Sequence, residues 1–380
     1  MPARLSCPDC GRTFDDRWRC TCGAPLTFAD PPRPEGPPAP GTLDRDRGLW
    51  AFDDLLPTAF DPRATLGEGF TPLVDAPTHD ARFKLEYVFP TGSFKDRGAT
   101  TTVARALECG ASTLVEDSSG NAGAAVATYA ARAGLDARIY VPASVKAGKL
   151  RAIERAGATP VRVEGGREAV TDACVDAVEA GEGWYASHAW RPAFLAGTAT
   201  FAYEVAAADG WSVPDAVVTP LGHGTLFLGA ARGFRALHEA GWTDRVPRLY
   251  GAQAAGYAPF VAARHGERAA AAAEDGAAAA AEDGAAAVAD ANDAAEGIHI
   301  NQPVRRDEVR DALDATGGDV VAIGAERTRA ERDRLGRAGF HVEATSAVAS
   351  AALDAFRERG AIGPDEDVVV ALTGSGLKAE

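Results

Sequence analysis

Residues 90–98 read Pro90-Thr91-Gly92-Ser93-Phe94-Lys95-Asp96-Arg97-Gly98, and the lysine in that stretch decides how the rest of the chain is read. The chain has five lysines (84, 95, 146, 149 and 378) against 34 arginines. A lysine kept here invites a chemical reason. Arginine holds its proton at any working pH, whereas a desolvated lysine loses it and can form a Schiff base. Pro90, Gly92 and Ser93 make a turn, Ser93 is the expected N-cap, and Ala99–Leu107 reads as helix. Lys95 then stands in a first turn, where the positive helix end disfavours a further positive charge. Taken alone it reads equally well as a surface lysine at a helix start; three later stretches tip the balance.

Outward from this turn the pattern is strand, loop, helix, repeated. A strand over Phe83–Tyr87 leads into the lysine turn. After it come strands at Thr113–Val115, Ala137–Val141, Thr159–Val163 and Trp184–Ser187, with helices at about 122–133, 148–156 and 167–180 between them. A second series follows, with helix Phe194–Ala208, strand Ala216–Thr219, helix Leu226–Ala240 and strand Leu249–Gln253. It closes with helix Arg306–Ala315, strand Val320–Ile323, helix Arg327–Arg337, strand His341–Glu343, helix Ala347–Arg359 and strand Val368–Leu372. Such alternation predicts an α/β fold of two lobes, with parallel or mixed sheets wrapped by helices and a cleft between them. The smaller lobe is expected at about 112–200, the larger at about 43–111 and 201–380.

Two strand-to-helix loops are rich in small residues: Ser118-Ser119-Gly120-Asn121 and Pro220-Leu221-Gly222-His223-Gly224-Thr225. The second has the parts of a phosphate cradle, because glycines expose N–H groups, Thr225 adds a hydroxyl and a helix start follows. Read alone it is at least as well explained as a plain turn. It is neither a Walker loop nor a dinucleotide fingerprint. The segment Leu372-Thr373-Gly374-Ser375-Gly376-Leu377 again ends an apolar strand in small hydrogen-bonding residues.

The N-terminus carries Cys7-x-x-Cys10 and Cys20-x-Cys22, each pair closely followed by glycine (Gly11, Gly23). Four thiolates suit tetrahedral zinc, and so short a segment needs such a staple, so residues 1–30 read as a structural zinc ribbon; two disulfides are the alternative. Residues 31–42 are a Pro-rich linker, with six prolines in Pro31–Pro40, and Asp44–Leu56 reads as a helix. Residues 267–297 hold 17 alanines in 31 positions and a tandem Ala-Ala-Ala-Ala-Ala-Glu-Asp-Gly, and read as an inserted surface loop without a catalytic role.

At 380 residues the chain buries a sizeable core, and its net charge of −15 argues against nucleic acid as a partner. The acidic, lysine-poor composition fits a halophilic protein, although a GC-rich genome explains the arginine and alanine equally well. No apolar run reaches membrane-spanning length and no signal-peptide core starts the chain, so the expectation is a cytoplasmic protein without membrane partners.

Pro-Thr-Gly-Ser-Phe-Lys-Asp-Arg-Gly, Ser-Ser-Gly-Asn-Ala-Gly, Gly-His-Gly-Thr, Val-Glu-Ala-Thr-Ser-Ala (342–347) and Leu-Thr-Gly-Ser-Gly-Leu-Lys occur in the order found in fold-type II pyridoxal-phosphate enzymes. Within that group (tryptophan synthase beta-like) the chain resembles the threonine synthases, several of which begin with a zinc ribbon. The resemblance implies a pyridoxal-phosphate-dependent lyase of amino-acid metabolism, usually a homodimer, acting on a small amino-acid substrate. It implies that Lys95 carries the cofactor and shuttles the proton, that Asn121 holds the ring's 3′ oxygen, and that Ser118, Ser119 and Gly120 cradle the substrate carboxylate. Gly222, His223, Gly224 and Thr225 hold the cofactor phosphate, and Thr373 faces the pyridine nitrogen.

Departures concern the substrate. Phe194 stands about where the family has an arginine for the substrate phosphate, Ala122 where a threonine is usual, and Ser187-His188-Ala189 replaces an Asn-Ser pair. Arg191, Lys146, Lys149 and His188 are the candidate replacements, each equally readable as a surface or loop residue. A serine/threonine ammonia-lyase or a cysteine or cysteate synthase-type β-replacement enzyme is the alternative. A non-catalytic cofactor-binding relative is disfavoured by intact Lys95, Asn121 and Thr373.

Overall fold

The computed structural model describes residues 2–33, 36–39, 41–271 and 291–378. The N-terminal segment forms a small antiparallel sheet of β1 (Leu5–Ser6), β2 (Thr13–Phe14) and β3 (Thr27–Phe28), in the order β2-β1-β3. Each cysteine pair closes on a left-handed glycine, Gly11 (φ 72°) and Gly23 (φ 95°), whose N–H groups donate to Cys7 O and Cys20 O.

Strands β4 (Leu73–Ala76) and β5 (Ala81–Leu85) precede the lysine turn. Strands β6 (Thr113–Glu116), β7 (Asp136–Pro142), β8 (Thr159–Val163) and β9 (Trp184–Tyr185) form a parallel sheet in the order β8-β7-β6-β9. The larger sheet adds β10 (Ala216–Pro220), β11 (Arg248–Ala254), β12 (Val320–Ile323) and β13 (Val368–Leu372) in the order β12-β11-β10-β13-β5-β4. Only the edge strand β4 runs antiparallel in it. Every residue of β10 and β13 is buried, as expected for parallel strands covered on both faces.

Three helices fix the lysine turn against the loop after β10. The helix Pro192–Ala208 is apolar on nearly all sides and buried along almost its whole length. It lies between the helices Lys95–Glu108 and Thr225–Glu239, and glycines set the spacing. A Cβ on Gly197 would stand 1.9 Å from Arg97 O, and one on Gly229 would stand 2.2 Å from Thr198 Oγ1. These backbones approach so closely that a methyl group does not fit.

The same contact buries a four-charge network. Arg97 donates to Glu86 (2.7 and 2.8 Å) and to Glu204 (2.6 and 2.8 Å), and Lys84 Nζ donates to Glu204 Oε2 at 2.6 Å. Glu204 also accepts the Phe70 and Thr71 N–H groups. Two cations meet two carboxylates with nearly every donor used, which is what burying them requires. Their attraction outweighs desolvation for Glu204, whose pKa is held down to about 2, whereas burial leaves that of Lys84 below its ordinary value.

Four sequence expectations change. Ser93 is not an N-cap: the helix begins at Lys95, and Ser93 is pinned in a backbone bridge to Gly374 with its Oγ buried and without a partner among the described residues. Residues 341–343 form no strand; Val342 makes a single bridge to Ser375, and the next helix begins at Ala344. Residues Arg45–Leu55 are a 3₁₀ segment broken at Gly48 (φ 59°), where a Cβ would meet Glu68 O at 2.2 Å. Finally, the Ala-rich insertion is not filler at its edges. Residues 272–290 lie outside the described residues, but Ala270 is buried in a short helix, and Asn292 is fully buried, donating to Ile323 O and Thr328 Oγ1 at 2.8 Å. Averaging composition over 31 positions hid that one asparagine.

Candidate active site

The C-terminal ends of β6, β10 and β13 and the start of the Lys95 helix converge on one cleft of about 350 Å³. Crevices beyond the carboxyl ends of parallel strands are the usual ligand sites of α/β folds. Lys95, Ser118, Ser119, Gly120, Asn121, Gly222, His223, Gly224, Thr225 and Thr373 all line it, together with Lys149 and His188. Residues up to 278 positions apart in sequence thus line one space.

Lys95 Nζ lies 3.3 Å from Thr225 Oγ1, 4.5 Å from the centre of the Phe94 ring and 5.7 Å from that of Phe194. Those rings withhold water, and burial lowers its pKa from 10.5 to about 8, against the opposing pull of Glu116 and Glu343. The lysine therefore gives up its proton far more readily than an ordinary lysine. The position expected by resemblance to hold an arginine is this apolar wall: Phe194 is fully buried, and a Cβ on Gly98 would stand 2.3 Å from its ring.

Asn121 opens the helix Asn121–Ala133 and donates from Nδ2 to Glu343 at 3.1 and 3.2 Å, which fixes its amide. Gly120 N donates to Ser118 Oγ at 3.3 Å, so this loop places a hydroxyl at a helix start, where backbone N–H groups favour an anion. On the facing loop, Gly224 is left-handed (φ 80°), and a Cβ on Gly222 would press on Ile298 at 3.1 Å. Thr373 Oγ1 lies 3.3 Å from Ser346 Oγ, just past β13.

A model of the family described as pyridoxal-phosphate dependent enzyme matches residues 64–374. The chain belongs to that family. It is 33% identical over 339 residues to a threonine synthase of Methanosarcina acetivorans, covering 87% of this chain and 80% of that one. It is 30% identical to a threonine synthase of Methanocaldococcus jannaschii over 98% of this chain and 92% of that one. Solved structures with the same fold include a pyridoxal 5'-phosphate-dependent aspartate racemase (TM-score 0.64, 22% identity, 80% of this chain and 90% of that one) and a fungal L-serine ammonia-lyase from Rhizomucor miehei (TM-score 0.63, 23% identity, 80% and 93%). The protein is a pyridoxal-phosphate-dependent enzyme of fold type II.

The cleft fits that cofactor on its own geometry. A desolvated lysine, a glycine cradle with no room for side chains and a strand-end hydroxyl surround one space. His223 Nδ1, in the cradle, is buried without a partner among the described residues.

The structure also redistributes the candidate anion holders. Arg191 does not line the cleft. Its Nε donates to Tyr185 O at 2.6 Å, its Nη1 to Asp16 at 2.7 Å, and its guanidinium lies 3.5 Å from the centre of the Trp184 ring. It ties the N-terminal segment to the body, because Asp16, 175 positions away, reaches it first. Lys146 is an exposed rim residue on Glu296 (2.6 Å), which also holds Lys149 (2.9 Å). The two lysines hold the Glu296 pKa down to about 2.

Sequence reading missed Arg167, which lines the cleft with Nη2 3.2 Å from His223 Nε2. It also missed Glu116, Asp117, Glu296, His299 and Glu343. Glu343 stood inside a quoted motif, and Glu116-Asp117 is an acidic pair ending an apolar strand, which is a legible signal. Nothing local marks Arg167.

Proposed function

We propose that the protein is a threonine synthase, converting O-phosphohomoserine and water to threonine and inorganic phosphate. What supports the reading is one conjunction: the cleft joining Lys95, Asn121, Gly222–Thr225 and Thr373 belongs to a chain 30–33% identical to threonine synthases over 87–98% of its length. When bound, pyridoxal phosphate supplies the electron sink that lets bonds beside the amino nitrogen break. Lys95 Nζ holds it and carries the proton at the α-carbon. Ser118, Ser119 and Gly120 grip the substrate carboxylate, and Asn121 orients the ring oxygen. The cradle of Gly222, His223, Gly224 and Thr225 takes the cofactor phosphate. Thr373 offers the ring nitrogen a hydroxyl, which does not stabilise a protonated ring as a carboxylate does.

A buried phosphate dianion needs paired cations. In this reading Arg167 and Lys149 supply them, and Arg191 does not. Cys7, Cys10, Cys20 and Cys22 bind structural zinc: their sulfurs lie within 4.8 Å of one another, two pairs at 3.5 and 3.6 Å, close to the ~3.8 Å that 2.3 Å zinc–sulfur bonds imply. A cytoplasmic homodimer without nucleic-acid partners completes the reading. No helix among the described residues is long and apolar enough to cross a membrane.

The apolar wall at Phe194 favours a second reading, elimination of ammonia from serine or threonine or β-replacement. Offering cofactor-loaded enzyme O-phosphohomoserine and serine, with phosphate, threonine and ammonia assayed, separates the two. Threonine and phosphate in equal amounts support the first; ammonia from serine without use of O-phosphohomoserine overturns it.

A further inference from the structure

The cleft contains a second pair of titratable groups, apart from Lys95. Glu116, the last residue of β6, is fully buried, and its Oε1 lies 2.7 Å from His188 Nδ1, 72 positions away. Glu116 Oε2 has no partner among the described residues. His188 lines the cleft, its ring edge-on to those of His223 (centroids 5.3 Å apart) and Phe194 (5.9 Å). Its Nε2 makes no hydrogen bond to a described residue. A histidine serving only the core has both nitrogens satisfied, because an unmet buried donor or acceptor costs about 1–3 kcal/mol. Here one nitrogen is held by a carboxyl and the other is left to the cleft.

The carboxyl at Nδ1 dictates what Nε2 does. Burial, with Asp117 adding repulsion, pushes the Glu116 pKa well above the carboxylate range, against the opposing pull of Arg167, Lys95 and the His188 backbone N–H. Burial, with Lys95, His223 and Arg167 adding repulsion, keeps His188 from becoming a cation. A protonated carboxyl donating to Nδ1 of a neutral imidazole leaves the ring hydrogen on Nε2, facing the cleft.

We propose that His188, held and recharged by Glu116, is a second proton carrier of this enzyme, serving through Nε2 the oxygen that leaves or enters at the substrate's side chain. The proposal rests on reading the cleft as taking an amino acid with an oxygen leaving group. As the carbon–oxygen bond breaks with its electron pair on oxygen, the Nε2 proton passes to that oxygen and the Glu116 proton passes to Nδ1. The water oxygen that then bonds to carbon returns a proton to Nε2, the Nδ1 proton returns to Glu116, and the pair ends as it began. His188 is the catalytic residue of the two and Glu116 a positioning residue.

The test uses His188→Gln and Glu116→Gln in cofactor-loaded enzyme with O-phosphohomoserine. His188→Gln lowers kcat on the order of 10²-fold or more with KM little changed, and removes one ionisation from the pH profile of kcat. Cofactor absorbance and loading stay as in the wild type. Glu116→Gln moves that ionisation to lower pH, because a buried imidazole alone must then keep the proton. Retention of kcat within threefold by His188→Gln, with an unchanged profile, overturns the proposal. Should His188→Gln fail to fold, nitrogen-15 spectra of wild-type histidines decide without turnover. The ring whose signals respond to Glu116→Gln shifts when the phosphonate analogue of O-phosphohomoserine is added, and an unchanged ring overturns the proposal. If wild-type enzyme deaminates serine and ignores O-phosphohomoserine, the threonine synthase reading falls alone. The same variants are then read on serine, whose departing oxygen is its hydroxyl.

Discussion

Lys95 and Arg97 are two residues apart on one helix and live in opposite electrostatic worlds. Arg97 is wholly enclosed, and its charge is matched by Glu86 and Glu204, with Lys84 completing a neutral set. Around Lys95 the matching is incomplete: Glu116 Oε2 and His223 Nδ1 have no partner among the described residues, and the lysine's nearest hydrogen-bond partner among them is the Thr225 hydroxyl, with the Phe94 and Phe194 rings beside it. A stretch that matches its buried ions on one side and leaves two polar atoms unmet on the other separates its jobs. The first network holds the helix; the second awaits a ligand. Unmet buried polar groups are costly, so two titratable ones beside a buried lysine mark a functional site, although groups such as Thr58 Oγ1 and Trp242 Nε1 are also unmet elsewhere among the described residues.

The contrast can be broken by exchanging the effects. Lys95→Ala is expected to lose turnover by about 10⁴-fold or more and to lose the borohydride-stable cofactor tag, while unfolding in urea at the same or higher concentration. A marked loss of stability would mean that Lys95 also holds the fold. Arg97→Met does the reverse, costing about 3–5 kcal/mol in denaturant unfolding because buried Glu86 loses its paired cation and Glu204 keeps only Lys84. The fraction that remains folded still loads cofactor.

Acid sharpens the same comparison. The Glu204 pKa is depressed to about 2 in the folded state from 4.5, so its contribution to stability is full above 4.5 and is lost as pH falls toward 2. Unfolding midpoints measured from pH 6 downward show that loss in the wild type and a shallower one in Arg97→Met. On the other side, cofactor uptake by the apo-enzyme speeds up as pH rises with a midpoint near 8, where Lys95 gives up its proton, and not near 10.5.

Smaller effects distinguish the arginines. Arg167→Ala is expected to raise KM for O-phosphohomoserine about tenfold with stability unchanged, since its side chain stands at the cleft mouth. Arg191→Ala leaves KM alone and lowers stability, because Asp16 and Trp184 lose their anchor. On the zinc reading proposed above, a chelator is expected to loosen the N-terminal segment. Thermal stability then falls by a few degrees with cofactor retained, because Arg105 and Arg305 still hold that segment through Ala3, Asp15 and Leu26 carbonyls.

What the sequence determined by itself is whatever depends on neighbours along the chain. Strands at 113–116, 159–163, 320–323 and 368–372, the small-residue loops at 118–121 and 220–225 and the lysine turn were legible, because periodicity and glycine act within a few residues. Tertiary structure alone decided the electrostatics. His188 acquires Glu116 from 72 positions away, Asn121 acquires Glu343 from 222, and Asp16 holds Arg191 away from the cleft across 175, leaving it to Arg167 and Lys149. Motif spacing fixes where a backbone turns. Where a long charged side chain ends up depends on which opposite charge the fold brings within reach, and no local pattern encodes that.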